Sequence, residues 1–183
     1  MRYYHLKFDG SKGEGLIAHI DSDWATDENP DTKRKSTTGY FFQLASAPIV
    51  WSSQQPKMIA SSSTEAEYMV MSDASKQLMW IWLLVTELGY NLVPIPVNDN
   101  NQGSIFMTQN PITEKHLKHI DIKYHLIREY VKEGHIKLYY VPSDENPADM
   151  FTKVLGYVKF KKFRNMLGMG FFPDQLKAYE FLS

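Results

Sequence analysis

The sequence predicts an α/β fold: a five-stranded mixed sheet, three antiparallel strands then two parallel ones, flanked by helices. Three observations carry this expectation. Short strand-like segments, one of them (37–44) rich in threonine and aromatics, fill the first third, separated by turn residues. A long capped helix follows them. Beyond it, strand and helix patterns alternate, and a strand–helix–strand step implies parallel pairing through a right-handed crossover.

Residues 4–8 alternate weakly and read as an edge strand closed by the turn signal Asp9-Gly10-Ser11. Residues 16–20 (Leu-Ile-Ala-His-Ile) read as a strand running into Asp21-Ser22-Asp23-Trp24. A polar, charged loop holding Pro30 and Lys33-Arg34-Lys35 leads to a strand over 37–44. The turn Ala45-Ser46-Ala47-Pro48 then gives a third strand at 49–51. Ser62 and Glu65 form a capping box, each satisfying the other's free backbone donor, so a helix starts here. Val70, Ala74, Leu78, Ile81, Val85 and Leu88 recur at spacings of three and four along one face of it. Residues 93–97 read as the fourth strand, with a short helix from Asn98-Asp99-Asn100-Asn101-Gln102 to about 108, before Pro111. Ile120, Tyr124, Ile127 and Val131 mark another helix, ended by Gly134. Residues 136–141 alternate as the fifth strand. Asn146-Pro147 is an N-cap with proline at the first helical position, opening a last helix through Leu155. These elements divide the chain into a short leading stretch over 1–15, a domain over 16–156, and a basic-aromatic tail over 157–183 (Lys159, Lys161, Lys162, Arg164).

Composition narrows the function classes. Twenty Lys and Arg against 21 Asp and Glu leave a net charge of −1, so a polyanionic partner would need a local basic patch or bound cations. No cysteine is present, which excludes disulfide scaffolds and thiolate metal sites and suits a reducing compartment. The start, Met1-Arg2-Tyr3-Tyr4-His5, lacks the apolar core of a signal peptide, and the longest apolar run is far short of a membrane span. An intracellular protein with no membrane association is expected.

Acidic residues recur at element ends: Asp21 after a strand, Glu67 in the first turns of the long helix, Asp99 closing the fourth strand, Asp149 in the last helix. Glu67 precedes Val70 by three and so heads the core-facing stripe, where a carboxylate is costly unless a charge or metal meets it. Glu65 lies roughly 200° around the helix from it and points elsewhere. Four carboxylates at one sheet edge would make an oxygen-only cage suited to magnesium. Two such ions about 3.5–4 Å apart would activate water and stabilise the leaving oxygen in phosphodiester cleavage. Each acid also has a plainer reading. Asp99 with Gln102 could be a capping box, Asp149 could complement a helix dipole, and Asp21 and Asp23 could be turn residues.

Asp21-Ser22-Asp23-Trp24-Ala25, the stretch from Arg34 to Tyr40, Ser62 to Tyr68, Asp99-Asn100, Lys118-His119-Ile120-Asp121 and Ala148-Asp149-Met150-Phe151-Thr152-Lys153 together resemble the ribonuclease H domain of copia-type LTR retrotransposon Pol polyproteins. The blocks occur in that family's order and cover most of 16–155. The resemblance implies a ribonuclease H-like fold and hydrolysis of the RNA strand of RNA–DNA hybrids during reverse transcription. It places the acidic quartet on Asp21, Glu67, Asp99 and Asp149, with Asp23 an alternative to Asp21, holding two Mg2+ ions for which Mn2+ can substitute. The implied partners are the hybrid and the reverse transcriptase domain of the same polyprotein, in the cytoplasm or inside virus-like particles. Cellular enzymes of this kind carry a histidine in the loop before the last helix. Here that loop, Val141-Pro142-Ser143-Asp144-Glu145-Asn146, has none, which implies slower turnover. The rival from another class is a catalytically silent hybrid-binding or structural remnant.

Substrate contacts are expected from Arg34, Ser62, Ser63, Asn100, Lys115, Lys118 and His119, through the phosphate backbone rather than the bases. His116, His119 and His125 lack the tight ligand set a zinc site needs. Trp51, Trp80 and Trp82 are expected in the core.

Overall fold

A computed structural model describes residues 4–12, 15–24, 36–55, 62–110 and 121–170. The strands are β1 (His5–Leu6), β2 (Ile17–Asp23), β3 (Thr37–Leu44), β4 (Ala47–Gln54), β5 (Ile95–Asp99), β6 (Ile136–Tyr140) and β7 (Met169–Gly170). The α-helices are α1 (Ser63–Glu87), α2 (Gln102–Gln109), α3 (Asp121–Lys132) and α4 (Tyr157–Met166), with 3₁₀-helices at Gly10–Lys12 and Pro147–Phe151. The main sheet has the order β4-β3-β2-β5-β6. Its β2–β3 and β3–β4 pairs are antiparallel, whereas β2–β5 and β5–β6 are parallel. This is the expected mixed sheet. The β3–β4 hairpin turns on Ala45 and Ser46, both left-handed at φ 49 and 63, the backbone a two-residue hairpin turn requires.

Helix α1 begins at the expected cap, Ser62 Oγ accepting from the Glu65 N–H at 3.1 Å. Its stripe is buried at Val70, Ala74, Leu78 and Ile81, half-buried at Val85, and exposed at Leu88, where the helix runs past the sheet. One core joins α1 to β2, β5 and β6 through Ile20, Ile95, Val97 and Ile136, with Ile127 from α3. The tryptophans differ from expectation. Trp51 is 62% exposed and Trp80 59%, the first on an edge strand and the second off the apolar stripe, while Trp82 packs partly against the core.

The last expected helix is shorter and tighter. Asn146 caps it, accepting from the Ala148 N–H at 3.2 Å, but only the five-residue 3₁₀-helix forms, and Thr152 to Gly156 lie outside it. It packs on the face of the sheet opposite α1, where Phe41, Ala148 and Leu167 form a second buried cluster. Part of the 157–183 stretch is structured: α4 buries Phe163, and β7 pairs antiparallel with β1. This small clasp is closed by Lys7 N–H donating to the Gly168 carbonyl at 3.0 Å and Arg164 donating to the Tyr4 hydroxyl at 3.0 Å. Gly168 sits at φ +66, and a side chain there would press within 2.7 Å of the Ser46 carbonyl. Among the described residues no helix is long and apolar enough to cross a membrane.

Candidate active site

Strands β2 and β5 run parallel, with Ala18 beside Val97 and His19 beside Asn98, so both reach the same sheet edge at their C-terminal ends. Asp21 lies near the end of β2 and Asp99 closes β5. Across the sheet from Asp21 on β3 stands Gly39. A side chain there would come within 2.7 Å of Phe151 Cβ and 2.8 Å of Thr152 Cγ2, so glycine is what lets the 3₁₀-helix press onto the strands. Two polar ties fix that helix. Ser53 Oγ donates to the Phe151 carbonyl at 2.6 Å, and Asn146 Nδ2 donates to the Ile20 carbonyl at 2.7 Å. Asp149 and Thr152 are thereby carried to Asp21, and Glu67 reaches the same edge from the first turns of α1.

All four carboxylates are buried, at 0% exposure for Asp21, Asp99 and Asp149 and 3% for Glu67. Asp21 accepts from Asn100 Nδ2 at 2.6 Å and from the Thr152 hydroxyl. Asp99 accepts from the Asn101 N–H at 2.9 Å and from the Ser104 hydroxyl. Glu67 Oε1 accepts from the Ser22 N–H at 3.0 Å, while its buried Oε2 has no hydrogen-bond partner among the described residues. Asp149 is met by ammonium groups, Lys153 at 3.0 Å and Lys159 at 2.7 Å. Asn101, not Asp99, caps α2 by accepting from the Ser104 N–H at 3.1 Å, which frees Asp99 from that plainer role.

Burial raises the carboxyl pKa values of Glu67, Asp99 and Asp21. It pushes Glu67 well above its ordinary range, with the charges of Asp99 and Asp21 adding to the effect. It lifts Asp99 to about 6, against hydrogen bonds from Ser104 and Asn101. Asp21 is raised by burial and by Asp149, while Thr152, Lys153 and Asn100 pull it down. On the same sheet face as Asp21, His19 stacks on Phe41 at 4.7 Å, and burial lowers its pKa to about 4.

Asp21 sits within the buried cluster, whereas Asp23 is half-buried at the strand end. Asn100 turns its amide to Asp21 and to Ser143 Oγ at 3.1 Å. Ser62 and Ser63 are exposed at the start of α1. Arg34, Lys115, Lys118 and His119 lie outside the described residues. Sequence reading gave no site role to Gly39, Ser104, Thr152, Lys153 or Lys159, and read Asn146 only as a helix cap. Of the first five, only Lys153 carried a local signal, four residues after Asp149.

Among the described residues, no group of three or more His, Asp or Glu side chains is drawn together closely enough to hold a metal ion as it stands. The carboxylates instead lean on the hydroxyls, amides and ammoniums around them. Their donor chemistry nonetheless fits a hard divalent cation: every ligand atom is oxygen, and Glu67 Oε2 is a buried acceptor with nothing to accept from.

No protein-family model matches the chain. It is similar to retrovirus-related Pol polyproteins: 38% identical over 155 residues to that of transposon RE1 from Arabidopsis thaliana, and 36% over 154 to that of TNT 1-94 from Nicotiana tabacum. Each match covers 84% of this chain but only 10% and 11% of the relative, so the chain spans about a tenth of their length. Among solved structures it is similar to LC11-RNase H1, solved in complex with an RNA/DNA hybrid (TM-score 0.55, 15% identity, 75% of this chain and 93% of that one). It is also similar to an N-terminal RNase H domain from Mycobacterium tuberculosis (TM-score 0.53, 13% identity, 82% and 96%).

Proposed function

Because this chain is a homologue of the copia-type, retrovirus-related Pol polyproteins and carries the ribonuclease H fold, we propose that it hydrolyses the RNA strand of RNA–DNA hybrids during reverse transcription. The observation that supports this most is the convergence of four buried acids from four separate elements on one sheet edge, one of them with an unsatisfied oxygen. Asp21, Glu67, Asp99 and Asp149 are the residues that would hold two Mg2+ (or Mn2+) ions, which would supply an activated water and stabilisation of the leaving oxygen.

The chain's own part is to hold these oxygens ready. The Ser22 N–H fixes one oxygen of Glu67 and leaves the other presented. The Asn101 N–H and Ser104 hydroxyl fix both oxygens of Asp99. Asn100 and Thr152 orient Asp21 by donating to its two oxygens. Ser62 and Ser63, exposed at the start of α1, are proposed to contact the nucleic-acid backbone, with Arg34, Lys115, Lys118 and His119 proposed as further phosphate contacts. The reverse transcriptase region of the same polyprotein is the proposed partner that shares the substrate.

Cleavage of a labelled hybrid, with and without magnesium, tests the reading. Asp99→Asn removes charge but keeps shape, so it should abolish magnesium-dependent cleavage while the circular dichroism spectrum is retained. Undiminished cleavage by that variant would refute two-ion hydrolysis. Hybrid binding by the unaltered chain without any cleavage would favour the silent remnant.

A further inference from the structure

The positive charges at the acidic edge are unevenly shared. Lys153 Nζ lies 3.0 Å from Asp149 Oδ1 and 3.7 Å from Asp21 Oδ2. Lys159 Nζ, arriving from α4, lies 2.7 Å from Asp149 Oδ2 and 3.1 Å from Asp144 Oδ1. Each oxygen of Asp149 thus has an ammonium of its own, and Asp21 shares one of them. Glu67 and Asp99 have no ion pair among the described residues and rest on neutral donors alone.

Resting on the two-ion reading above, we propose that Lys153 and Lys159 are resident counterions of the Asp21–Asp149 half of the site. A divalent cation enters that half only by displacing them, so the Glu67–Asp99 half fills first and the two binding steps have unequal affinities. An ammonium and a divalent ion compete for the same carboxylate oxygens, and like charges that close repel strongly in a buried setting. Both lysines are built to yield. Their side chains are about a third exposed, at 32% and 30%, on flexible stems that can swing outward. Lys159 has a second position ready at Asp144, which is 88% exposed and keeps the ammonium beside the site after it leaves Asp149. Lys153 feels the charge of Asp23 as well as those of Asp21 and Asp149, so it too has an anion to turn to.

Mn2+ titration of the whole chain without nucleic acid, followed by the paramagnetic signal of the free ion, reads this directly. The unaltered chain should show a tighter and a weaker step. Lys153→Met and Lys159→Met should each tighten the weaker step about fivefold, the weight of one partly solvated ion pair, and leave the tighter step in place. In chelator both variants should unfold at lower temperature, since Asp149 loses a counterion. Lys159→Arg, which keeps the charge, should return both the weaker step and the midpoint to those of the unaltered chain. If Lys153→Met does not fold, the more peripheral Lys159 pair of variants carries the same test. Two equal steps in the unaltered chain, or a weaker step that the Met variants leave unchanged or loosen, would overturn the proposal while the two-ion reading stands. No Mn2+ binding by the unaltered chain would overturn both.

Discussion

Glu67→Gln should stabilise the protein in the absence of divalent cations. The side chain is 3% exposed, one oxygen is held by the Ser22 N–H, and the other meets no donor. Glutamine keeps the first bond through its carbonyl and removes the charge that burial, Asp99 and Asp21 all oppose. A buried polar group left unsatisfied costs about 1–3 kcal/mol, so a gain of that order is expected at neutral pH. For a chain of this size it should appear as a rise of about 2–4 °C in thermal midpoint per kcal/mol. The pH dependence follows from the sign of the shift. Glu67 is raised above its ordinary 4.5, so between 4.5 and its higher folded value the native state binds more protons than the unfolded one. Stability of the unaltered chain therefore rises as pH falls through that window, and the advantage of Glu67→Gln shrinks towards zero. Thermal unfolding in chelator from about pH 8 down to about pH 5 checks this, and magnesium should reverse the order by stabilising only the unaltered chain. A variant less stable than the parent in chelator at neutral pH would refute the reasoning. Glu65→Gln, off the acidic edge and still able to complete the cap, should change little in either condition.

Gly39→Ala should cost about 1–3 kcal/mol by overpacking against Phe151 and Thr152, and should depress hybrid cleavage by shifting the hydroxyl that Asp21 accepts from; an unchanged denaturant midpoint would count against it. His19 is held neutral by burial, with its pKa lowered from 6.5 to about 4, which is worth about 3 kcal/mol of stability present above pH 6.5 and lost as pH falls to 4. His19→Phe should therefore gain on the parent progressively across that interval in urea titrations, and a constant difference would show that His19 does not titrate there. Lys118→Ala should weaken hybrid binding in calcium about equally across sequences and lower the slope of log affinity against log salt by about 0.7–0.9, one phosphate contact. An unchanged slope would place substrate affinity on the Arg34 cluster or the polymerase region instead.

The parts of the fold legible in the sequence are those governed by local rules. The Ser62 cap, the spacing of Val70, Ala74, Leu78 and Ile81, and the alternation of β6 each follow from chemistry within a few residues. The antiparallel-then-parallel pairing and the acidic edge then followed from the crossover rule and from where carboxylates fall along elements, whereas the spatial order that sets β5 beside β2 did not. What was not legible depends on distant partners. Glycine at 39 is unremarkable until the 3₁₀-helix arrives from more than a hundred residues later. Helix α4 reads as basic and aromatic because only Phe163 of its ten residues is fully buried, so no apolar stripe announces it. The tryptophans misled for the opposite reason: size and hydrophobicity favour burial, but Trp51 lies on an edge strand and Trp80 off the stripe. Lys159 could not be assigned to Asp149 from sequence, since the pair exists only once α4 is docked.

The β1–β7 clasp joins positions that are almost the whole described chain apart: Arg164 and Tyr4 are separated by 160 residues. Two residues on each strand give it few hydrogen bonds, and its ring contact between Arg164 and Tyr4 is exposed. Closing so long a loop is unfavourable until the rest of the fold has already brought its ends near. The clasp should thus form late, exchange its amide hydrogens early, and open in excursions that leave the main sheet intact. Helix α4 lies between this clasp and the 3₁₀-helix, and it carries Lys159. If Lys159 is a resident counterion as proposed, each excursion that loosens α4 should lift an ammonium from Asp149, and a cation settling on Asp149 should loosen the hold on α4. Fraying at the periphery and charge at the centre would then be one equilibrium read from two ends.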